Sequence, residues 1–105
     1  MAAESASHEW RTAGIKNLLE AILSLKDIDE AERFFRDLCT ISELEAMAHR
    51  WQAVQLLDRE LPYHEVSRQT GASTTTVTRV SHWLRHGEGG YRLVLDRMKR
   101  RAQTG

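Results

Sequence analysis

Gly71 sits between two short stretches, roughly residues 63–69 and 74–85, whose apolar residues recur at helical spacing. No other feature constrains the fold as tightly. A tight turn between helices demands a left-handed backbone, and glycine adopts it at almost no cost. Val66 and Thr70 from the first stretch, Ala72 from the turn, and Val77 and Val80 from the second fall in one register. Each helix therefore turns apolar positions toward the other, and Ser67 is small where they cross. Two short helices joined in this way form a helix-turn-helix.

That register decides what is left outside. With Val77, Val80 and Leu84 inward, the N-terminal end and outer face of the second helix carry Ser73, Thr74, Thr75, Thr76, Thr78, Arg79 and His82. Threonine is a poor helix former, so four on one exposed helix point to a purpose beyond solvation. The major groove presents donors, acceptors and the thymine methyl, and a threonine can hydrogen-bond and touch that methyl. Short side chains also let the helix end come close to base edges. Ser73, Thr74, Thr75, Thr76, Thr78 and Arg79 are thus the expected base readers. His64, Arg68 and Arg85 are the expected phosphate contacts, which position without specifying.

The rest of the chain reads as helix, with no convincing strand alternation. Residues 11–25 place Ile15, Leu18, Leu19, Ile22 and Leu25 on one side. Asp29 is the expected N-cap of a short helix with Ala31, Phe34, Phe35 and Leu38 inward. Thr40 with Glu43, and Ser42 with Glu45, both fit the capping box at the start of a helix over about 42–60. That helix turns Leu44, Met47, Ala48, Trp51, Val54 and Leu57 to one side. Pro62 suits the first turn of the next helix. Gly87, Gly89 and Gly90 then break the chain before a last helix over about 91–101, in which Met98 reads as core, as does Met47. The expectation is an all-α fold of about six helices in one domain over 1–105. Residues 11–60 form its core and dimerisation part, 61–86 the helix-turn-helix, and 91–101 a C-terminal helix. The first ten and last four residues are expected to fray.

Formal net charge is zero over 105 residues, but its distribution is not even. Residues 1–60 carry 7 basic and 12 acidic side chains; residues 61–105 carry 8 and 3. A basic half on a neutral chain fits a polyanion partner for that half. No apolar run approaches the ~18–20 residues that a membrane span needs, and "MAAESASHEW" has neither basic nor apolar region of a secretory signal. Cys39, the single cysteine, reads as a small buried hydrophobe in a reducing compartment, so the expected location is the cytoplasm.

From about residue 38 to 85 the chain resembles the Trp repressor family, through "TISELEAMAHRWQAVQLL", "HEVSRQTGAS" and "TTTVTRVSHWL". The N-terminal "LLEAILSL" and "EAERFFRDL" look most like the branch called YerC/YecD-type. The resemblance implies an interlocked homodimer in which the N-terminal helices of both subunits build one core. It also implies a corepressor slot, where Arg50, Arg79 and Thr40 match two arginines and a threonine. Val80 stands where the family has a glycine and Trp83 where it has a serine. Overpacking a shaped site costs ~1–3 kcal/mol, so Val80 and Trp83 are expected to fill a vestigial slot and make tryptophan binding doubtful.

His82 and His86 are one helical turn apart, but no third or fourth metal ligand is evident; His86 reads as a partner for the carbonyls at a helix end. Trp10 and Trp51 read as core or dimer contacts. No catalytic triad or phosphate loop stands out, and no cofactor or metal is expected. The expected function is a sequence-specific, dimeric transcription regulator, a repressor by family resemblance, that binds double-stranded DNA and is not an enzyme. The alternative is a helical adaptor that binds protein.

Overall fold

The computed structural model describes residues 9–104. Its helices are α1 (Ala13–Leu23), α2 (Ile28–Leu38), α3 (Ile41–Asp58), α4 (Tyr63–Thr70), α5 (Thr74–His86) and α6 (Gly90–Thr104). No strand occurs among the described residues. They fall into two compact units divided between residues 40 and 41. The expected grouping of 11–60 is thus cut: α3 packs with α4 and α5. Of the expected frayed ends, residues 1–8 and 105 lie outside the described residues, while α6 continues to Thr104 instead of ending near 101.

In the N-terminal unit both helices begin on a side-chain cap. Thr12 accepts from the Ile15 amide at 3.2 Å. The cap of α2 is Asp27, not the expected Asp29: Asp27 has an extended backbone and accepts from the Glu30 amide at 2.9 Å. Glu30 reaches back to accept from the Lys26 amide at 2.9 Å, which fixes the helix start two residues early. Asp29 is left inside the first turn, paired with Arg33 one turn on. No residue of α1 or α2 is buried. Phe34 and Phe35 meet edge to face, yet Leu23 is 84% and Ile28 78% exposed.

The C-terminal unit holds the core: Ala53 and Val54 from α3, Val66 from α4, Ala72 from the turn, Val77 and Val80 from α5, and Leu95 from α6. Burying such side chains stabilises by ~1.5–3 kcal/mol each. Only one flank of α3 takes part. Trp51 and Leu57 are half-buried against the cluster, whereas Met47 is exposed, and so is Met98 on α6, against the expectation that both are core. Pro62 stands one residue before α4, in extended backbone, and not in its first turn.

The turn between α4 and α5 is tied by hydroxyls. Thr70 Oγ1 donates to the Val66 carbonyl at 2.8 Å and accepts from the Ala72 amide at 3.1 Å. Ser67 Oγ donates to the Ala72 carbonyl at 2.6 Å, so the small residue at the crossing also closes the turn. Tyr63 and Ser81 hydroxyls bond to each other between the start of α4 and the buried side of α5. Asp58, nearly buried at the end of α3, accepts from Lys99 Nζ at 2.7 Å and Arg92 Nη1 at 2.9 Å, which anchors α6. The Lys99 hydrogen bond is the main cause that holds the Asp58 carboxyl below its ordinary value.

Gly71 has φ of 80° and ends α4 in the left-handed conformation. A Cβ there would meet nothing closer than 3.9 Å, so the backbone alone demands glycine. Gly71→Ala is expected to lower stability by about 1–2 kcal/mol in urea denaturation, with the melting cooperativity kept. An unchanged midpoint would contradict this account of the turn.

Candidate nucleic-acid interface

The helix-turn-helix forms as the residues of its two segments require. Ser73 is the N-cap of α5: its backbone is extended and its Oγ accepts from the Thr76 amide at 3.1 Å. Val77 and Val80 then point into the core, which turns the remaining positions of the first two turns outward. Thr74, Thr75, Thr78 and Arg79 are exposed and Thr76 is half-buried, so the six residues expected to read bases occupy one end and face of one helix.

Their hydroxyls are not equivalent. Ser73 Oγ, besides capping, donates to Thr76 Oγ1 at 3.0 Å. Thr78 Oγ1 donates back to the Thr74 carbonyl at 3.0 Å, the habit of a helical threonine. Donors in Ser73 and Thr78 are therefore engaged within the helix. Thr74 and Thr75 are the exposed hydroxyls whose oxygens make no such bond among the described residues.

The phosphate candidates also differ. Arg68 lies along α4 against Glu65, with Nε donating to Oε1 at 3.2 Å and the neighbouring amine forming an ion pair with Oε2. Glu65 accepts from Gln69 Nε2 at 2.7 Å as well. The Arg68 guanidinium and then the Gln69 amide hold the Glu65 carboxyl down to about 2. A phosphate would have to compete with this carboxylate for Arg68. Arg85 is exposed with no acidic partner among the described residues, and His64 is exposed at the start of α4.

Arg50, Thr76, Arg79, Val80, Trp83 and Tyr91 surround a cavity of about 270 Å³. Val80 is only 2% exposed and belongs to the core, while Trp83 is 55% exposed and forms a wall. Both side chains thus line the cavity, Val80 from the core side and Trp83 from the exposed side. Gly87 explains the pose of Trp83. A Cβ at 87 would come within 2.4 Å of the Trp83 carbonyl and 3.1 Å of its ring, so glycine lets the chain leave α5 across the indole. A second cavity of about 460 Å³ adjoins it, walled by Trp51, Trp83, Tyr91 and Val94. Thr40 belongs to the other unit. His82 and His86 rings lie 5.1 Å apart, and the end of α5 is closed by the Gly87 amide on the Trp83 carbonyl at 2.9 Å, not by His86.

Residues 13–99 match the Trp repressor protein family. The chain belongs to that family. It is 44% identical over 85 residues to the uncharacterized protein YerC of Bacillus subtilis (strain 168), covering 81% of this chain and 82% of that one. Two solved structures share the architecture. A TrpR-like protein from Eubacterium eligens ATCC 27750 superposes with a TM-score of 0.84 at 39% identity, covering 88% of this chain and 95% of the other. A Trp repressor candidate from Staphylococcus aureus gives 0.83 at 35% identity, covering 88% and 92%. Among the described residues no helix is long and apolar enough to cross a membrane.

Sequence reasoning placed the helix-turn-helix but passed over two residues near it. His49 of α3 lies against the turn at Gly71, and Tyr91 walls both cavities beside Trp83. Each meets α5 through contacts distant in sequence, and no local motif signals them. The Arg68–Glu65 pair was legible from its spacing of three on one helix. Its effect has a definite sign. A carboxyl held below its unfolded value adds stability above that value and loses it as pH falls toward about 2. In Arg68→Ala the Glu65 carboxyl is expected to titrate close to the ordinary glutamate range by NMR; a midpoint still near 2 would show that Gln69 alone suffices.

Proposed function

We propose that this protein is a sequence-specific DNA-binding transcription regulator, a repressor, acting as a homodimer. The observation that carries the reading is the outer face of α5. A helix held by Val77 and Val80 presents Thr74, Thr75 and Arg79 to solvent at the end that a helix-turn-helix inserts into the major groove. Thr74 and Thr75 have the freest hydroxyls and are the principal base readers. Ser73, Thr76 and Thr78 shape the helix end and offer acceptors. Arg79 stands at the boundary of bases and backbone. Arg85 and His64 hold phosphates, with Arg68 contributing less because Glu65 already neutralises it.

The homodimer is supported by surface that one chain leaves uncovered. Leu18, Leu19, Leu23, Ile28 and Leu38 are exposed on α1 and α2, where nothing is buried. Apolar area of this kind is what a partner covers, and two-fold reading heads match half-sites about one helical turn apart. A second copy interlocking its N-terminal helices with the first is the arrangement proposed.

Free tryptophan is not its signal in this reading. Val80 and Trp83 line the cavity beside Arg50 and Arg79 at the positions where the resemblance places a glycine and a serine, and their added bulk reduces the room for an indole. Calorimetry with L-tryptophan is expected to show no binding; micromolar affinity would place the protein among tryptophan-responsive regulators.

Fluorescence anisotropy on a duplex selected from a random pool tests the main claim. Thr75→Ala is expected to cost ~1–3 kcal/mol on the selected site and little on unrelated DNA. Arg85→Ala is expected to weaken both equally and to make the salt dependence shallower by about 0.9 per reading head. A protein with no duplex affinity at low salt would be an adaptor, not a DNA-binding regulator.

A further inference from the structure

We propose that His49 is a phosphate contact of this interface that acts while its imidazole is protonated, so that DNA affinity is tuned by pH. The inference rests on the DNA-binding reading and adds to it a residue of α3. The Cε1 and Nε2 atoms of His49 are the side-chain atoms closest to Gly71, each 3.9 Å from where a Cβ would stand. The outer edge of the ring therefore lies against the turn that leads into α5. His49 and Arg50 line a hollow of about 200 Å³ that Ser73 and Thr76 line as well, at the end of α5 that carries the candidate reading hydroxyls.

The chemistry of that hollow suits a phosphate oxygen. Its charge-bearing lining residues are His49 and Arg50, and no carboxylate is among them. On α3, Glu45 lies one turn before His49 but outside the lining. The turn at residues 71–73 bears no charge. Arg79 of α5 shares the neighbouring cavity with Arg50. On α4, Glu65 is paired with Arg68, and His64 is a second imidazole. Arg50 supplies a permanent charge, and His49 supplies one that appears only on protonation. Imidazole is the side chain whose charge ordinarily changes between pH 5 and 8. Each phosphate neutralised releases counterions and steepens the salt dependence, so the charged ring strengthens binding and the neutral ring does not.

The test uses anisotropy with one mixed-sequence duplex for wild type, His49→Gln and His49→Arg, at about pH 6 and pH 8. His64, His82 and His86 are common to all three proteins, so the difference between variants is what reports on His49. At pH 6, raising salt fourfold is expected to weaken His49→Gln less than wild type by about 3.5-fold per reading head, or about 12-fold for the two heads of a dimer, for a slope shallower by about 0.9 per head. At pH 8 wild type and His49→Gln should coincide. His49→Arg, which keeps its charge, should retain at pH 8 the salt slope that wild type shows at pH 6, and it answers the question even if His49→Gln packs poorly. Identical pH profiles and slopes in wild type and His49→Gln, with both bound to DNA, would overturn the inference and leave the DNA reading standing. A wild type that ignores the duplex at low salt would overturn both.

Discussion

The buried cluster of Val54, Val66, Val77 and Val80 is the constraint on which the site depends. It fixes the rotation of α5 about its own axis. A rotation of even one residue would take the Val77 and Val80 side chains out of the cluster and put polar neighbours in their place. The same packing that stabilises the C-terminal unit therefore aims the hydroxyls outward. Gly71, Thr70 and Ser67 complete the constraint by setting where α5 begins, and Ser73 then caps it. The core-facing side and the hydroxyl-bearing side are here opposite faces of one 13-residue helix.

Charge divides along the same line as the compact units. Residues 1–40 carry 5 basic and 8 acidic side chains, and residues 41–105 carry 10 and 7. The unit with the reading helix is the positive one, which favours encounter with a polyanion. The acidic unit is also the one in which no described residue is buried. Its helices are well capped, but caps specify where a helix starts and do not bury its apolar side. Under the proposed homodimer, a second copy provides that burial.

Much of the fold was legible because its determinants are local. Glycine at 71, the register of Val66, Val77 and Val80, and the cap at Ser73 are decided within a few residues of each other. The Trp repressor resemblance in "HEVSRQTGAS" and "TTTVTRVSHWL" was confirmed by the family match. The misses share a cause: competition between nearby candidates or contact between distant ones. Asp27 and Asp29 are both good caps, and Glu30 reaching back to the Lys26 amide decided between them. Met47 and Met98 carry helical spacing, which shows that a face is apolar but not what covers it. The close approach of Gly87 to the Trp83 carbonyl and ring is likewise a matter of the chain's path, which side-chain size alone does not signal. His49 was invisible because its neighbour Gly71 is far away in sequence.

The most direct measurement of the central claim is the change in backbone amide shifts when labelled protein is titrated with a duplex selected from a random pool. The largest changes are expected at residues 64, 73–76, 78, 79 and 85, with smaller ones at Arg68 and at the buried valines. Changes gathered on α1 and α2, or none at saturating duplex, would contradict it.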